Sequence, residues 1–165
     1  MSDLRIGIMS DSHGNVARMR AALARFDESG ADVLIHCGDV GGIEIFELWA
    51  GRSVHFVWGN CDVASPGIRE FLRRINLKEP PIGGPLRLTL GGARIVVAHG
   101  HEDYFSDLVA RPGADYLLHG HTHARRDELR GATRVVNPGA LHRTPSPSVA
   151  LLEARSGDLS FVEPI

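Results

Sequence analysis

Five apolar segments of this chain end alike, because each runs directly into acidic, amide or histidine residues flanked by glycine or serine. The segments and the polar ends that follow them read LRIGIM–SDSH, DVLIH–CGD, VHFVW–GN, RIVVA–HGH and DYLLH–GHTH. Short apolar runs bounded by glycine and polar residues are typical of buried strands. Functional groups gather at the carboxyl ends of strands in α/β sheets, so we expect these polar residues to share one rim.

The order of the predicted elements indicates a mixed α/β (α+β) fold. In the first half, strands alternate with amphipathic helices, and this βαβαβ order requires parallel strands joined by helical crossovers. The second half is richer in antiparallel strands, with a hairpin at Gly91-Gly92. We therefore expect two packed mixed sheets with helices outside them, in a single domain over residues 1–165. The predicted helices span residues 15–28, 43–50, 65–75 and 103–110, and the principal predicted strands span 4–8, 32–36, 53–58 and 115–119.

Composition excludes several classes of protein. The 165 residues are 43% hydrophobic and 23% charged, which is ordinary for a globular domain and unlike a disordered or fibrous chain. A net charge of -2 gives no reason to expect specific nucleic-acid binding, and no apolar run is long enough to span a membrane. The N-terminal residues do not resemble a signal peptide, so we expect a cytoplasmic protein whose two cysteines, Cys37 and Cys61, are free thiols.

The polar ends of the strands supply carboxylates, an amide and imidazoles, which are borderline-to-hard metal ligands. Such a set suits Mn²⁺, Fe, Zn²⁺ or Ni²⁺ better than Cu(I) or an iron–sulfur cluster. Two ions that share one carboxylate fit the number of ligands, and ions about 3.5–4 Å apart can clamp the attacking and leaving oxygens of a phosphoryl displacement. The candidate ligands are Asp11, His13, Asp39, Asn60, His99, His121 and His123, with His101 as an alternative to His99.

The expected charge of such a centre favours an anionic substrate. Two divalent ions bring about +4, and Asp11, Asp39 and a hydroxide together bring about -3. The remaining positive charge would attract a phosphodiester. Arg125 and Arg126 follow the last histidine and could steer phosphate, although a solvated strand face is the simpler explanation for them.

The chain resembles the calcineurin-like metallophosphoesterase superfamily in a series of five blocks. These are Asp11-x-His13, Gly38-Asp39, Gly59-Asn60, His99-Gly100-His101 and Gly120-His121-x-His123. The chain length, Gly59-Asn60-Cys61-Asp62 and Asn137-Pro138-Gly139 are similar to the small prokaryotic phosphodiesterase subgroup, whose fold is similar to that of the retromer scaffold subunit. The resemblance extends over residues 6–140 and implies a four-layer αββα double β-sandwich flanked by helices.

The resemblance also implies a ligand assignment and a mechanism. It implies a phosphodiesterase of small phosphate esters, with nucleotide-type diesters expected, in which a hydroxide that bridges two divalent ions attacks phosphorus. We expect Mn²⁺ before Fe, Zn or Ni, and we expect Asp39, Asn60 and His99 to act in catalysis. The first ion would be bound by Asp11, His13, Asp39 and His123, and the second by Asp39, Asn60, His99 and His121.

One position departs from the pattern of larger members of the superfamily. They carry a histidine directly after the metal-binding asparagine, where this chain has Cys61, and that histidine protonates the leaving group. A thiol is a poor substitute, so we expect diesters with an acidic alcohol to react best. Ala140 also replaces a serine that often follows Asn-Pro-Gly, and we expect little from this change.

Other polar residues have structural explanations. His36 and His55 lie inside apolar strands and are expected to be packed histidines, whereas Asp62 is expected to hydrogen-bond either a ligand or the backbone. His101 is expected to be a neighbour of the centre or merely exposed. The only candidate for a specificity cap is segment 64–85, which is short, so we expect an open site.

Two other functions stay open from the sequence. A scaffold that binds proteins on the same fold would have weak or no turnover, and a phosphomonoesterase would prefer monoesters. The complete set of seven candidate ligands favours the enzyme over the scaffold. Assembly of the chain into a homo-oligomer also stays open.

Overall fold

The computed structural model describes residues 3–165 as ten strands and four helices. All four predicted helices are present, and their ends differ from the predicted ones by two residues at most. In chain order the elements are β1 (Arg5–Met9), α1 (Val16–Glu28), β2 (Val33–His36), α2 (Ile43–Trp49), β3 (Val54–Phe56), α3 (Pro66–Arg74), β4 (Leu86–Leu90), β5 (Ala93–Val97), α4 (Phe105–Ala110), β6 (Tyr116–Leu118), β7 (Arg126–Arg130), β8 (Thr133–Asn137), β9 (Val149–Glu153) and β10 (Leu159–Val162).

The strands form two mixed sheets of five strands each, as the sequence predicts. The first sheet has the order β10-β9-β1-β2-β3, in which β1, β2 and β3 are parallel and β9 and β10 are antiparallel to their neighbours. The second has the order β4-β5-β6-β8-β7, with β5, β6 and β8 parallel between two antiparallel edge strands. The parallel strands of each sheet carry the polar segments at their carboxyl ends.

The principal core lies between the two sheets. On β1 and β2, alternate residues point inward because side chains of a strand alternate between its two faces. Ile6 and Ile8 are fully buried there, and they pack in one cluster with residues of the other sheet. That facing set includes Ile95, Val97, Leu118 and Val136.

Helices cover the outer face of each sheet, which completes the four layers αββα. Helix α1 packs Met19, Leu23 and Phe26 against the first sheet, in a cluster that also contains residues of α2 and α3. Gly7 permits this close packing, because a Cβ at that position would lie 2.7 Å from the Phe26 ring. Helix α4 covers the second sheet through Leu108.

Three of the principal strands are shorter than predicted: β2 lacks residue 32, β6 lacks residues 115 and 119, and β3 differs most. The sequence predicts a strand over 53–58, but β3 contains only three residues, because Val57 and Trp58 leave the sheet. The Trp58 ring instead packs edge-on against Phe56, with ring centroids 4.9 Å apart. The chain thereby turns toward the rim that bears Asn60. Within residues 3–165, no helix combines the length and apolar character that crossing a bilayer requires.

Candidate metal centre

The structure brings the seven candidate ligands together at the rim where the parallel strands end. A first group surrounds the Oδ1 atom of Asp11. His123 Nε2 lies 3.2 Å from that oxygen, and His13 Nε2 lies 3.5 Å from His123 Nε2. His13 Nε2 is also 3.7 Å from Asp39 Oδ2, so the second aspartate borders this group.

A second group shares the same Asp39 oxygen. His99 Nε2 lies 3.3 Å from Asp39 Oδ2 and 3.1 Å from Asn60 Oδ1, and His121 Nδ1 lies 3.1 Å from the same Asn60 oxygen. Atoms bound to one ion at about 2.0–2.2 Å are roughly 3.0–3.5 Å from each other. The observed separations are therefore of the size that a metal coordination shell requires.

The chemistry of the converging atoms calls for a cation. The Nδ1 atom of His99 lies 2.7 Å from the Cys37 carbonyl oxygen, to which it can only donate. In the neutral ring the Nε2 atom therefore presents a lone pair, and it faces two further acceptors, Asp39 Oδ2 and Asn60 Oδ1. Three acceptors that meet without a proton repel each other unless a positive charge lies between them.

The Oδ1 atom of Asp11 gives an independent test of this fit. It is buried and has no hydrogen-bond partner in the described part of the chain, whereas Oδ2 accepts hydrogen bonds from Ser10 Oγ at 2.6 Å and from the His121 amide at 3.1 Å. A buried charged oxygen without a partner is costly and requires an explanation. A divalent cation bound to this oxygen would provide one, so the residues present fit a metal centre.

The backbone at this rim adopts an unusual conformation. Seven non-glycine residues in the described part of the chain have positive φ, a region that costs roughly 1–2 kcal/mol for L-residues. Strain of this kind is concentrated at functional sites, where a side chain must be aimed in a way that a relaxed turn does not permit. Five of the seven are candidate ligands, namely Asp11, His13, Asp39, His121 and His123.

Neighbouring side chains hold the ligand loops in place. The ring of His36 accepts a hydrogen bond from the Gly38 amide through Nδ1, so Nε2 carries the proton and donates to Ser12 Oγ. Ser12 in turn donates to the Val40 carbonyl, which links the loop after β1 to the loop after β2. Burial lowers the pKa of His36 to about 3, which keeps the ring neutral. His36 is thus the packed histidine that the sequence predicts.

Asp62 holds the loops of Asp39 and Asn60 against each other. Its carboxylate accepts hydrogen bonds from the amides of Val40, Gly41 and Gly59 at 2.8–3.1 Å. Burial raises the pKa of this carboxyl, while the three amides act in the opposite direction. Of the two roles that the sequence leaves open for Asp62, the structure supports the backbone one.

The sequence interpretation missed a comparable role for Asn137. Its amide nitrogen donates to the Gly120 carbonyl and to Thr122 Oγ1, and its Oδ1 accepts from the Gly139 amide. These bonds fix the loop that carries His121. The local signal for this role is the Asn-Pro-Gly motif, in which the asparagine side chain bonds the glycine amide two residues later.

Cys61 and Arg143 also border the centre. The thiol sulfur of Cys61 lies within 4.8 Å of ligand atoms of His13 and Asp39, and partial desolvation and the Asp39 charge raise its pKa. Burial lowers the pKa of His13, and the guanidinium of Arg143 lowers it further, against the opposing charge of Asp39. Arg143 was not singled out from the sequence, because only the fold brings residue 143 next to residue 13.

The remaining candidates lie around the centre. The exposed ring of His101 has its centroid 5.3 Å from that of His99 and 6.1 Å from that of His121. Arg126 pairs with Glu128, and Arg125 lies over the Phe161 ring, so both arginines have partners on the sheet. Cys37 is buried and Cys61 exposed, and both are free thiols.

Comparison with known proteins identifies the family. The pattern of the calcineurin-like phosphoesterase superfamily domain matches residues 4–157, nearly the whole chain. The chain belongs to the calcineurin-like phosphoesterase superfamily. Its members include phosphodiesterase MJ0936 of Methanocaldococcus jannaschii, which is 27% identical over 155 residues that cover 91% of this chain and 93% of that protein. Phosphodiesterase YfcE of Escherichia coli K12 is 28% identical over 154 residues, covering 84% and 79%.

Solved structures agree with this family. An archaeal phosphodiesterase superposes with a TM-score of 0.85 at 25% identity, covering 97% of this chain and 99% of that one. Vps29 of Entamoeba histolytica, solved with Zn²⁺, shares the fold at a TM-score of 0.67 and 21% identity, covering 96% of this chain and 90% of that one. The resemblance that the sequence carries is therefore confirmed, and the chain is a metallophosphoesterase, a hydrolase of phosphate esters.

Proposed function

We propose that this phosphoesterase is a dinuclear phosphodiesterase. The support comes from the Oδ2 atom of Asp39, which lies 3.7 Å from His13 Nε2 and 3.3 Å from His99 Nε2 and therefore borders both ligand groups. One aspartate oxygen between two sets of nitrogen ligands suits a residue that two ions share. The first ion would be held by Asp11, His13, Asp39 and His123, and the second by Asp39, Asn60, His99 and His121.

The protein contributes orientation and charge to the reaction. Bound divalent ions would supply charge stabilisation at the phosphoryl oxygens and would activate water near neutral pH. The carbonyl of Cys37 keeps the Nε2 lone pair of His99 aimed at the centre, and the Cys61 amide occupies Asp39 Oδ1, which leaves Oδ2 for the metals. The positive charge of Arg143 beside His13 favours an anionic phosphate over the same centre.

The substrates we propose are small phosphodiesters of the nucleotide type. No strong acid for the leaving group lies at position 61, because the raised pKa of the Cys61 thiol makes it a weaker proton donor than a free thiol. Diesters whose departing alcohol is acidic should therefore react best. The relatives named phosphodiesterase favour diesters over monoesters. We propose Mn²⁺ as the bound ion, which the carboxylate and amide oxygens of the site suit. We also propose a cytoplasmic location, which suits the exposed free thiol of Cys61.

The test is metal content together with hydrolysis. Chelated protein is reloaded with Mn²⁺, and the metal is counted by elemental analysis while bis-p-nitrophenyl phosphate and p-nitrophenyl phosphate are compared as substrates. We expect about two ions per chain and faster diester hydrolysis. One ion per chain would overturn the dinuclear centre, and faster monoester hydrolysis would identify a phosphomonoesterase. A wild-type rate in the Asp39→Ala protein would leave the scaffold function as the better explanation.

A further inference from the structure

A cavity of about 340 Å³ opens beside the metal centre, and we call it the side pocket. One wall comes from residues 64–84, within the segment 64–85 that the sequence offers as the only candidate for a cap, and a second wall comes from residues 101–104. Val57, Trp58 and Asp62 also line the cavity. His101 belongs to this second wall and connects the pocket to the centre, since its ring lies 5.3 Å from the His99 ring. The lining residues used below are Trp58, Arg69, Ile82, Gly84, His101 and Tyr104.

The charges in the wall of the side pocket are already paired. Glu102 accepts hydrogen bonds from the His99 and Gly100 amides at 2.8 and 2.7 Å, and Asp62 is held by three further amides. Arg69 pairs with Glu79 at 2.6 Å. A second phosphate or another strongly charged group would find no free partner there, so the pocket suits a neutral occupant.

The remaining surface of the pocket is aromatic and aliphatic. Trp58 forms a rigid surface because its ring packs against Phe56 and Phe46 at centroid distances of 4.9 and 5.9 Å, and Tyr104 adds a second aromatic ring to the lining. Ile82 is 83% exposed at the edge of the pocket, and Val63, beside the lining residue Asp62, is 71% exposed. Large apolar side chains this exposed next to a cavity indicate a binding surface.

The size of the side pocket limits the occupant to about one ring system. Ligand pockets in proteins measure about 300–1,000 Å³, so this one is near the small end. Cys61 is exposed, so a departing alcohol near it can take its proton from water. The arm that stays on phosphorus is then the one that can enter the pocket.

We propose that the side pocket binds the retained arm of the diester when that arm carries a flat aromatic group of nucleoside size. This inference rests on the proposed phosphodiesterase function and adds its specificity. The ring lies between Trp58 and Tyr104 while the phosphate occupies the metal centre, and small alkyl arms gain nothing from the pocket.

Gly84 offers a way to fill the pocket without disturbing the fold. A Cβ at this position meets no atom within 4 Å, and its φ lies outside the left-handed region. Gly84→Leu therefore adds a large side chain to the pocket lining with little backbone strain. The matched control is Gly67→Leu on helix α3, where an added Cβ meets only Ser65 Oγ at 4.0 Å and which does not line the pocket.

Two substrates that share a leaving group but differ in the retained arm distinguish binding of that arm from the chemical step. These are thymidine 5′-(p-nitrophenyl phosphate) and methyl p-nitrophenyl phosphate, both assayed with Mn²⁺. We expect the wild type to prefer the thymidine ester and Gly84→Leu to lower its kcat/KM about tenfold, mainly through KM. The methyl ester should change by no more than about twofold, as should both substrates in Gly67→Leu.

Equal losses on both substrates, or no loss on either, would overturn the proposal. Tyr104→Ala is a second variant that should lose the preference for the thymidine ester, and Tyr104→Phe should restore that preference because it restores the ring.

A binding measurement keeps the pocket testable if the protein hydrolyses neither ester, a result that would refute the proposed function. In chelated protein, the thymidine ester should quench the fluorescence of Trp58 in the wild type and not in Gly84→Leu. Absence of quenching in the wild type would refute the pocket itself.

Discussion

The two ends of the β-sandwich use positive φ for different purposes. At the end where the parallel strands finish, Asp11, Asp39 and His121 are among the residues that adopt it. At the opposite end, where β4 turns into β5 and β7 into β8, the same conformation falls on Gly91, Gly92 and Gly131. A turn that only reverses the chain can use glycine at little cost, whereas the first end tolerates strain to keep a functional side chain.

Charge follows the same contrast. At the glycine end, Asp115 is exposed and pairs with Arg94 at 2.9 Å, so the protein supplies its own counter-ion. At the histidine end, Asp11 is fully buried and its Oδ1 has no hydrogen-bond partner among the described residues. The histidine end therefore leaves a buried carboxylate oxygen open to a cation, whereas the glycine end does not.

Replacing one aspartate at each end should produce the largest difference in activity between the two ends. Asp39→Ala should lower diester hydrolysis by at least about 10³-fold, because it removes the oxygen that borders both ligand groups. Asp115→Ala should keep the activity and lose at most about 1 kcal/mol of stability, since its ion pair is exposed. Parallel assays and denaturant titrations measure both, and similar activities would contradict the assignment.

Adding one methyl group to a glycine at each end of the sandwich should also give different losses of stability at the two ends. A Cβ at Gly59 would overlap with the side chain and amide of Asp39, whereas one at Gly92 would meet nothing within 4 Å. We expect Gly59→Ala to lower the free energy of unfolding by about 2–4 kcal/mol and to impair metal binding. Gly92→Ala should cost only about 1 kcal/mol, because its φ is positive, and should bind metal normally. Equal costs would refute this reading of the two ends.

The histidine end should dominate the pH dependence of stability. Burial lowers the pKa of His36 to about 3 and that of His119 to about 4, both below the ordinary value of 6.5. Between about pH 6.5 and pH 4 the unfolded chain therefore binds more protons than the folded one, and the free energy of unfolding falls as pH falls.

We expect the metal-free protein to lose roughly 1–3 kcal/mol of stability over that interval. Denaturant titrations at a series of pH values measure it. His36→Gln should flatten the slope, and Asp115→Asn at the glycine end should leave it unchanged. His119 should retain part of the slope in His36→Gln, and an unchanged slope in that variant would assign the effect to groups other than His36.

Replacing one arginine at each end should have the smallest effect on the kinetic constants. Arg143 lies near His13, so Arg143→Ala should raise KM for diesters about three- to tenfold with little change in kcat. Arg155 is exposed near the glycine turns, and Arg155→Ala should change neither constant. Equal KM values in the two variants would remove Arg143 from substrate binding.

Local patterns were sufficient to predict most elements of the fold. The apolar stripe of α1 and the Ser65-Pro66 start of α3 are properties of neighbouring residues, so helices at 15–28 and 65–75 follow from sequence. Strand 53–58 was too long because its apolar run continues into Val57 and Trp58, which pack as loop residues. A hydrophobic run cannot distinguish a strand residue from an apolar residue that leaves the sheet.

The residues of the candidate site also fall into two groups, those that the sequence predicts and those that only the fold reveals. Residue types and their position after strands identified the seven candidate ligands, because each polar segment follows directly on an apolar run. The supporting residues were harder to find. Asn137 ends β8 and holds the loop of His121, and Arg143 lies in the loop that follows, beside His13. Only the Asn-Pro-Gly motif marks Asn137 locally, and no local pattern marks Arg143.

The sequence by itself determined the kinds of element, their order and the set of candidate metal-ligand side chains, because periodicity and residue type are local properties. Only the tertiary structure decided which of those side chains border the same oxygen, that Asp11 Oδ1 is buried without a hydrogen-bond partner among residues 3–165, and that residues 64–84 line a pocket beside the centre. These features depend on distances between atoms that lie far apart in the chain. Such distances are set by sheet order and packing, which no single segment encodes.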